Sequence, residues 1–289
     1  MMLELVFRWL ARWPLKWMQH LGAGLGWCVW ALSPRYRRQF RAQVTAAGVP
    51  WREARPAIAA AGRMLAELPW VWMRPVEPPL GDQVRWEGAQ ALEDALAEGK
   101  GAILLSPHLG CWEAGAQALA ERLGPRFGPM VALYRPARKP ALEAVVAKAR
   151  TRPFLASSPT TLAGVRTLIR ALRQGGYTAI LPDQVPPEGQ GVWAPMWGQP
   201  AYTMTLAGRL AQQTGAAVLL VWCERLAPGR GFVMHIERVS DPDFGTPTAT
   251  PESAARVLNT WVERMVRQAP GQYLWGYNRA KQPRQETGA

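Results

Sequence analysis

The 289 residues, of which 48% are hydrophobic and 19% charged, suffice for one large α/β domain and exclude an intrinsically disordered chain. Three widely separated cysteines without a C-x-x-C pair argue against disulfides and a structural zinc site. The net charge of +13 lies mainly at the two ends: residues 1–55 contain nine Lys and Arg against two acidic residues, and residues 256–289 contain six against two. Basic ends favour an anionic membrane, nucleic acid or acidic proteins as partners. The alternative is that the charge serves solubility alone.

The first residues have the pattern of a membrane-associating helix. Trp9, Trp13 and Trp17 recur every four residues beside a stripe of basic residues, as in helices that lie among lipid headgroups. Pro14 is expected to kink this helix or to start a second one. The alternative is a tryptophan-rich helix packed on the protein's own core.

Residues 17–32 contain no Lys, Arg, Asp or Glu and fall slightly short of the ~20 residues needed to span a bilayer. Glycines interrupt this stretch and no convincing cleavage site follows, which favours a retained anchor over a signal peptide. The arginines that follow predict that the rest of the chain lies on the cytoplasmic side. The predicted organisation is a membrane anchor over 1–45 and a main domain over 46–289.

After a predicted helix over 51–73, short apolar runs alternate with helical patterns, which predicts an α/β sandwich with a mixed, largely parallel sheet flanked by helices. Predicted strands are Val84–Trp86, Ala102–Ser106, Met130–Tyr134, Tyr177–Leu181, Ala217–Trp222 and Phe232–Glu237. Predicted helices are Ala89–Glu98, Trp112–Arg122, Ala141–Arg150, Thr161–Gln174, Thr203–Gln213 and Glu252–Gln268. The Pro- and Gly-rich residues 182–200 predict a long loop, either rimming a lipid site or packed as an Ω-loop.

His108 is the strongest candidate for chemistry among the three histidines. It follows the apolar run AILLS at the end of a predicted strand and precedes a predicted helix, which is where ligands bind in open α/β sheets. His20 falls in the predicted anchor, and His235 alternates within the strand pattern FVMHIE, so an ordinary strand position is expected for it.

Glu113 follows His108 by five residues, a spacing that in one regular helix would place the two side chains about 140° apart. With His108 on a loop that turns at Gly110, Glu113 can instead accept a hydrogen bond from Nδ1 of His108. That leaves Nε2 to take a proton from a hydroxyl, while the helix N-terminus offers N–H groups to an oxyanion. A structural histidine is the alternative for an isolated His-x4-Glu pair.

Two rival functions remain open. Cys111 as a nucleophile with His108 as its base would make the protein a thioesterase, while Ser106 lacks the context of a nucleophile elbow. A non-catalytic basic protein that binds a membrane is the other rival. Nucleic acid is disfavoured as a partner, because no recognisable nucleic-acid-binding motif is present.

The string SPHLGCWE resembles the H-x4-(D/E) motif of the glycerolipid acyltransferase superfamily. Further blocks follow in order: YRPARKPALEAVVAKAR, LIRALRQGGYTAILPDQ, APMWGQPAYTMTLAGRLAQQTGAAVL and APGQYLWGYNRAK. Together they cover roughly residues 20–285 and resemble the lipid A biosynthesis lauroyl/myristoyl acyltransferase family.

This resemblance implies an acyltransferase at the cytoplasmic face of a bacterial inner membrane. His108 and Glu113 would deprotonate a hydroxyl of a lipid A precursor, which attacks a thioester of acyl carrier protein directly, with no metal or other cofactor. The resemblance assigns Arg135 and Arg150 to phosphate or oxyanion binding and Asp183 to shaping the site. Ion pairing within the fold is the alternative for these three.

The sequence departs from the family pattern at the terminal block, where Gly276, Tyr277, Asn278 and Arg279 replace the usual His-Arg-Arg region, and at Lys139, where the family often has Asn. These departures leave the His108–Glu113 pair unaffected. They keep open another lipid acceptor, of the phosphatidylinositol mannoside or lysophospholipid type.

Overall fold

The computed structural model describes residues 2–134, 146 and 152–285. Its strands are β1 (Val84–Glu87), β2 (Ala102–Leu105), β3 (Met130–Tyr134), β4 (Leu155–Pro159), β5 (Tyr177–Ile180), β6 (Gly191–Met196), β7 (Gln199–Met204), β8 (Ala217–Arg225) and β9 (Phe232–Val239). Its helices are α1 (Met2–Leu10), α2 (Leu15–Leu32), α3 (Pro34–Ala46), α4 (Trp51–Ala54), α5 (Ala57–Met73), α6 (Ala89–Ala97), α7 (Trp112–Phe127), α8 (Leu162–Arg173), α9 (Leu206–Thr214) and α10 (Pro251–Gln268).

The main sheet has five strands in the order β1-β9-β8-β2-β5. Strands β8, β2 and β5 are parallel neighbours, β1 is parallel to β9, and β9 meets β8 in antiparallel orientation. Strands β3 and β4 form a separate parallel pair, and β6 and β7 form a hairpin. The prediction of a mixed α/β fold with a largely parallel sheet flanked by helices is therefore confirmed.

The run AILL of β2 is buried on both faces of the sheet. Ile103 and Leu105 join one half of the core, which α8, α9 and α10 cover, whereas Ala102 and Leu104 join the other half, beneath α6 and α7. A continuous apolar run is what a parallel strand between two helical layers requires, because neither face meets water.

The predicted loop over 182–200 was partly wrong, because its second half forms the β6–β7 hairpin. Trp197 and Gly198 make the two-residue turn, with φ of 52° and 70° respectively, as hairpin turns that match the twist of the strands require. The prolines in this segment favoured the prediction of a loop over that of two strands. The helix predicted from Thr203 begins only at Leu206, since Thr203 belongs to β7. Strand β4 was not predicted, and the helix predicted over 141–150 lies outside the described residues apart from residue 146.

The N-terminal helices pack on α5, and Pro14 separates α1 from α2 as expected. Because of that break, Trp17 lies on a different helix from Trp9, so the predicted single tryptophan stripe is wrong. Among the described residues, no helix is both long and apolar enough to cross a membrane. Both helices nevertheless leave large apolar side chains exposed: Leu5, Val6, Trp9, Trp17, Leu21, Leu25, Val29 and Leu32. The domain boundary at residue 45 stays a prediction.

Helices α2 and α5 approach so closely that glycine is required where they cross. A Cβ atom at Gly26 would lie 2.2 Å from the carbonyl oxygen of Ile58, whereas a Cβ at Gly24 meets nothing within 4 Å. Gly26→Ala is therefore expected to lower the free energy of unfolding by about 1–3 kcal/mol through overpacking. Gly24→Ala is expected to raise it by about 0.5–1 kcal/mol through helix propensity. Thermal unfolding of both variants checks this, and equal effects would contradict the packing described.

Candidate active site

His108 and Asp183 meet because they occupy equivalent positions after neighbouring strands. His108 lies three residues beyond the end of β2, and Asp183 lies three residues beyond the end of β5. The two strands are parallel, with Leu105 opposite Ile180 in the register. Their carboxyl ends therefore lie side by side, which is the usual place for ligands in such sheets.

Asp183 holds His108 by two hydrogen bonds. Its Oδ1 lies 2.8 Å from Nδ1 of the imidazole, and its Oδ2 accepts from the backbone N–H of His108 at 3.0 Å. Since an ionised carboxylate only accepts hydrogen bonds, Nδ1 carries a proton, and in the neutral imidazole Nε2 therefore presents its lone pair. The prediction that Glu113 accepts the bond from Nδ1 is wrong, because Asp183 occupies that position. The side chains of His108 and Asp183 are 11% and 3% exposed.

Glu113 lies in the first turn of α7, where the positive end of the helix dipole favours a carboxylate. Its Oε2 accepts a hydrogen bond of 3.0 Å from the indole Nε1 of Trp72, on α5. Trp72 in turn stacks on Phe7 of α1, with ring centroids 6.1 Å apart. Sequence reasoning missed Trp72, because nothing in the pattern of α5 distinguishes an indole that faces the site from one that packs in the core.

The two carboxylates keep His108 basic despite its burial. Burial by itself lowers the pKa of His108, but the charge and hydrogen bond of Asp183, together with the charge of Glu113, outweigh it and hold the pKa above its ordinary value. Burial by itself raises the pKa of Asp183, but the charge of His108 and the hydrogen bonds outweigh this effect and hold the pKa below its ordinary value, so Asp183 is ionised. An imidazole in this setting is a stronger general base than a free one.

Gln184 contacts the other ring nitrogen of His108. Its side-chain Nε2 lies 3.1 Å from Nε2 of the imidazole. With the proton on Nδ1, the amide is the donor in this contact. The sequence placed Gln184 beside Asp183 in the string PDQ but gave no sign that it reaches the reactive nitrogen.

The loop that carries His108 is fixed by backbone contacts. Gly110 has φ of 66°, and a Cβ there would lie 1.9 Å from the carbonyl oxygen of Cys223, so this turn admits only glycine. The N–H of Gly110 donates to the carbonyl of Gln272, and the N–H of Leu274 donates to the carbonyl of His108. Backbone hydrogen bonds from the terminal block therefore hold the His108 loop in place. The residue types of the terminal block gave no indication of this role.

A buried ion pair lies behind the same loop. Arg225 on β8 donates from Nε and Nη2 to the two carboxylate oxygens of Glu67 on α5, both at 2.6 Å, and its Nη2 also reaches the carbonyl of Gly110 at 3.2 Å. Gln19 on α2 donates to Glu67 at 2.7 Å. Glu67 is completely buried and Arg225 is 5% exposed. These contacts connect the N-terminal helices to the His108 loop, and sequence reasoning did not find them.

A cavity of about 1060 Å³ opens beside these residues. Ser106, Trp112, Glu113 and Gln184 contribute to its wall at the end near His108. The rest of its lining is largely apolar and includes Leu119, Met130, Leu133, Leu155, Val165 and Ile169. This volume is at the upper end of the range of ligand pockets, and the mixture of an apolar wall with a few polar groups is typical of them.

The structure does not support Cys111 as a nucleophile. Its side chain is 3% exposed, and burial holds the pKa of its thiol well above the ordinary value. Both ring nitrogens of His108 contact other residues, Asp183 and Gln184. A thiol that stays protonated is a poor nucleophile, so the thioesterase hypothesis loses its chemical basis.

The remaining candidates from the sequence analysis are His235, Arg135 and Arg150, and of these the structure describes His235. His235 stacks on Trp222 and pairs with Glu87 and Glu224, as expected for an ordinary strand residue. Arg135 and Arg150 lie outside the described residues, so their assigned roles stay predictions. No group of His, Cys, Asp and Glu among the described residues could hold a metal ion.

Two residues of the terminal block that depart from the family pattern make hydrogen bonds within the fold. Arg279 is buried and donates from Nη1 to the carbonyl of Tyr202 and from Nη2 to Oγ1 of Thr203, on the hairpin. Tyr277 accepts through its hydroxyl oxygen from the N–H of Val185, the residue after Gln184. Tyr277 therefore holds the segment that carries Asp183 and Gln184, whereas Arg279 holds the hairpin.

Comparisons with known proteins identify relatives of this chain. The chain is similar to the lipid A biosynthesis lauroyltransferase of Escherichia coli (strain K12), with 26% identity over 227 residues that cover 76% of this chain and 68% of that protein. It is also similar to the lipid A biosynthesis acyltransferase of Haemophilus influenzae, with 29% identity over 65% of this chain and 56% of that protein. The lipid A biosynthesis palmitoleoyltransferase of Escherichia coli (strain K12) matches at 28% identity over 68% of this chain and 60% of that protein.

The chain thus spans less than two thirds of the length of the second and third of these relatives. The family described as bacterial lipid A biosynthesis acyltransferase matches residues 3–282, almost the whole of this chain. The resemblance found in the ordered sequence blocks is confirmed, and the chain belongs to the bacterial lipid A biosynthesis acyltransferase family.

Proposed function

We propose that this protein transfers a fatty acyl chain of about 12–14 carbons from acyl carrier protein to a hydroxyl of a lipid A precursor. The observation that carries the proposal is the orientation of His108, whose Nδ1 is bound to the buried carboxylate of Asp183 while Nε2 is turned toward Gln184, a residue in the wall of a large apolar cavity. Family membership supplies the class of reaction, and this geometry supplies a base suited to it.

The proposed reaction is a direct transfer. Nε2 of His108 takes the proton of the acceptor hydroxyl as its oxygen attacks the thioester carbonyl carbon. The carbon–sulfur bond then breaks, and the departing thiolate takes the proton back from the imidazolium. Asp183 stabilises the imidazolium by its hydrogen bond at Nδ1, and a general base of this kind contributes about 10²–10⁴-fold in rate. No metal or cofactor has a role in this scheme.

Glu113 has a different role here from the one predicted for it. It lies in the cavity wall, with one carboxylate oxygen bound to Trp72. Its negative charge raises the pKa of His108, so it favours the imidazolium that forms during the transfer. We assign it to stabilising that charge and to orienting the acceptor hydroxyl. Arg135 and Arg150 keep their proposed roles in binding phosphate or the oxyanion.

The apolar cavity is proposed to hold the acyl chain. Each buried methylene group contributes about 0.8 kcal/mol, so chain selection depends on where the cavity ends. Support for a chain near 12 carbons comes from the similarity to a lauroyltransferase. The excess of basic residues suits an acidic carrier protein as the donor.

The exposed apolar side chains of α1 and α2 support binding to a membrane surface. Indole rings such as those of Trp9 and Trp17, which are 55% and 63% exposed, favour the headgroup region. Partnership with an anionic membrane, at the cytoplasmic face of a bacterial inner membrane, belongs to this proposal. Of the basic cluster that follows, Arg37 binds the carbonyl oxygens at the end of α2, so part of that cluster serves the fold.

The proposal is tested with purified protein in vesicles that contain anionic phospholipid. Lauroyl and myristoyl acyl carrier protein are offered with a lipid A precursor, a lysophospholipid or a phosphatidylinositol mannoside, and the lipids are analysed by mass spectrometry. We expect the lipid A precursor to gain one acyl chain. Transfer only to another acceptor would overturn the assigned substrate, and binding to vesicles without any transfer would favour the non-catalytic alternative.

A further inference from the structure

The reactive nitrogen of His108 is occupied in this structure. The amide of Gln184 donates to Nε2 at 3.1 Å, and the imidazole offers only one lone pair there. An acceptor hydroxyl needs that same lone pair to lose its proton. The hydroxyl and Gln184 therefore compete for one position.

Gln184 also separates His108 from the cavity. Among the described residues, Gln184 lines the cavity and His108 does not, and the His108 side chain is only 11% exposed. The amide thus lies between the base and the space where substrates enter.

The residues on both sides of Gln184 are held by hydrogen bonds to other parts of the fold, whereas the side chain of Gln184 is held by one in the part of the chain that the structure describes. Asp183, before it, is bound twice by His108. Val185, after it, donates to Tyr277 at 2.9 Å. Among the described residues, the side-chain amide of Gln184 makes its hydrogen bond to His108 alone. A rotation of this side chain therefore exposes Nε2 without a movement of the loop.

We propose that Gln184 is a capping residue that keeps Nε2 of His108 covered until the acceptor hydroxyl displaces it, and so protects the acyl thioester from hydrolysis. The inference rests on the proposed acyl transfer. The reaction it suppresses would pass a proton from water to Nε2 while the water oxygen attacks the thioester carbonyl. The carbon–sulfur bond would then break, releasing a fatty acid and a thiol that takes the proton back.

The first experiment measures hydrolysis against transfer in Gln184→Ala and Gln184→Ser. Fatty acid released from lauroyl acyl carrier protein without an acceptor is expected to rise about tenfold, the change that one lost hydrogen bond produces. Gln199→Ala is the matched control, because Gln199 is exposed at the start of β7 and does not line the cavity among the described residues. Unchanged hydrolysis in both Gln184 variants, with wild-type transfer intact, would overturn the capping role while leaving the proposed function standing.

A second experiment needs no substrate. Diethyl pyrocarbonate acylates a neutral imidazole at an accessible nitrogen, and peptide mass spectrometry follows each of the three histidines separately. In Gln184→Ala and Gln184→Ser the modification rate of His108 is expected to rise about tenfold. The exposed His20 is the internal reference and is expected to react at an unchanged rate. An unchanged rate at His108 would show that Gln184 does not cover Nε2.

Discussion

Asp183→Asn is expected to lower kcat by about 10²–10⁴-fold, close to the level of a His108→Ala variant. Asparagine keeps the size of the side chain, but its amide can donate to Nδ1 of His108. That donation favours the tautomer with the proton on Nε2, which has no lone pair for the acceptor hydroxyl. The loss therefore comes from the wrong tautomer rather than from a missing contact. Steady-state kinetics of acyl transfer measure it.

The pH dependence of the same variant separates this role from a purely structural one. The proposed mechanism requires neutral His108, so kcat/KM is expected to fall as the pH drops below the pKa of His108, which the carboxylates raise. Without the charge of Asp183 that pKa decreases, and the acid limb of the profile is expected to move to lower pH. An acid limb at the wild-type position would show that Asp183 does not set the pKa of His108.

Arg225→Met is expected to lower the free energy of unfolding by about 3–5 kcal/mol. The substitution leaves the fully buried carboxylate of Glu67 without its two bonds from the guanidinium. It also removes the contact with the carbonyl of Gly110. The cost arises because Glu67 has lost its hydration on burial, and the remaining hydrogen bond from Gln19 does not replace the opposite charge. Denaturant unfolding, monitored by tryptophan fluorescence, provides the measurement.

Two controls identify the cause of this loss. The double variant Glu67→Leu with Arg225→Met removes both charges and is expected to recover most of the stability, because a buried apolar pair of similar volume is often no worse than an ion pair. Arg238→Met removes an exposed guanidinium that binds the carboxylate of Glu98 through its Nη1 and Nη2 atoms. This substitution is expected to change the free energy of unfolding little, because the pair is exposed to water. A double variant as unstable as Arg225→Met would show that packing, not the unpaired charge, causes the loss.

The sequence singled out His108 as the candidate base but did not indicate its hydrogen-bond partner. The run AILLS ends at the edge of a parallel sheet, so His108 had to emerge where ligands bind. Glu113 was chosen as its partner because sequence reasoning favours near neighbours. Asp183 is 75 residues away along the chain, and only the pairing of β2 with β5 brings it to Nδ1.

The hairpin and the buried ion pair are two further features that the sequence did not predict. Prolines in β6 and β7 disguised two strands as a loop, although the turn of Trp197 and Gly198 follows ordinary hairpin geometry. Nothing in the local sequence singled out Arg225 or Glu67, and their pairing over 158 residues depends on the tertiary fold that brings α5 and β8 together. Long-range contacts of this kind leave no local pattern.

The sequence by itself determined the class of fold, the positions of most strands and helices and the family, and it singled out the histidine that we propose as the base, because apolar periodicity and ordered short blocks are local properties. The tertiary structure decided which carboxylate orients that histidine, which amide covers its free nitrogen, and which buried charges hold its loop. Those choices depend on strand order and helix packing, which bring together residues that are distant in the chain.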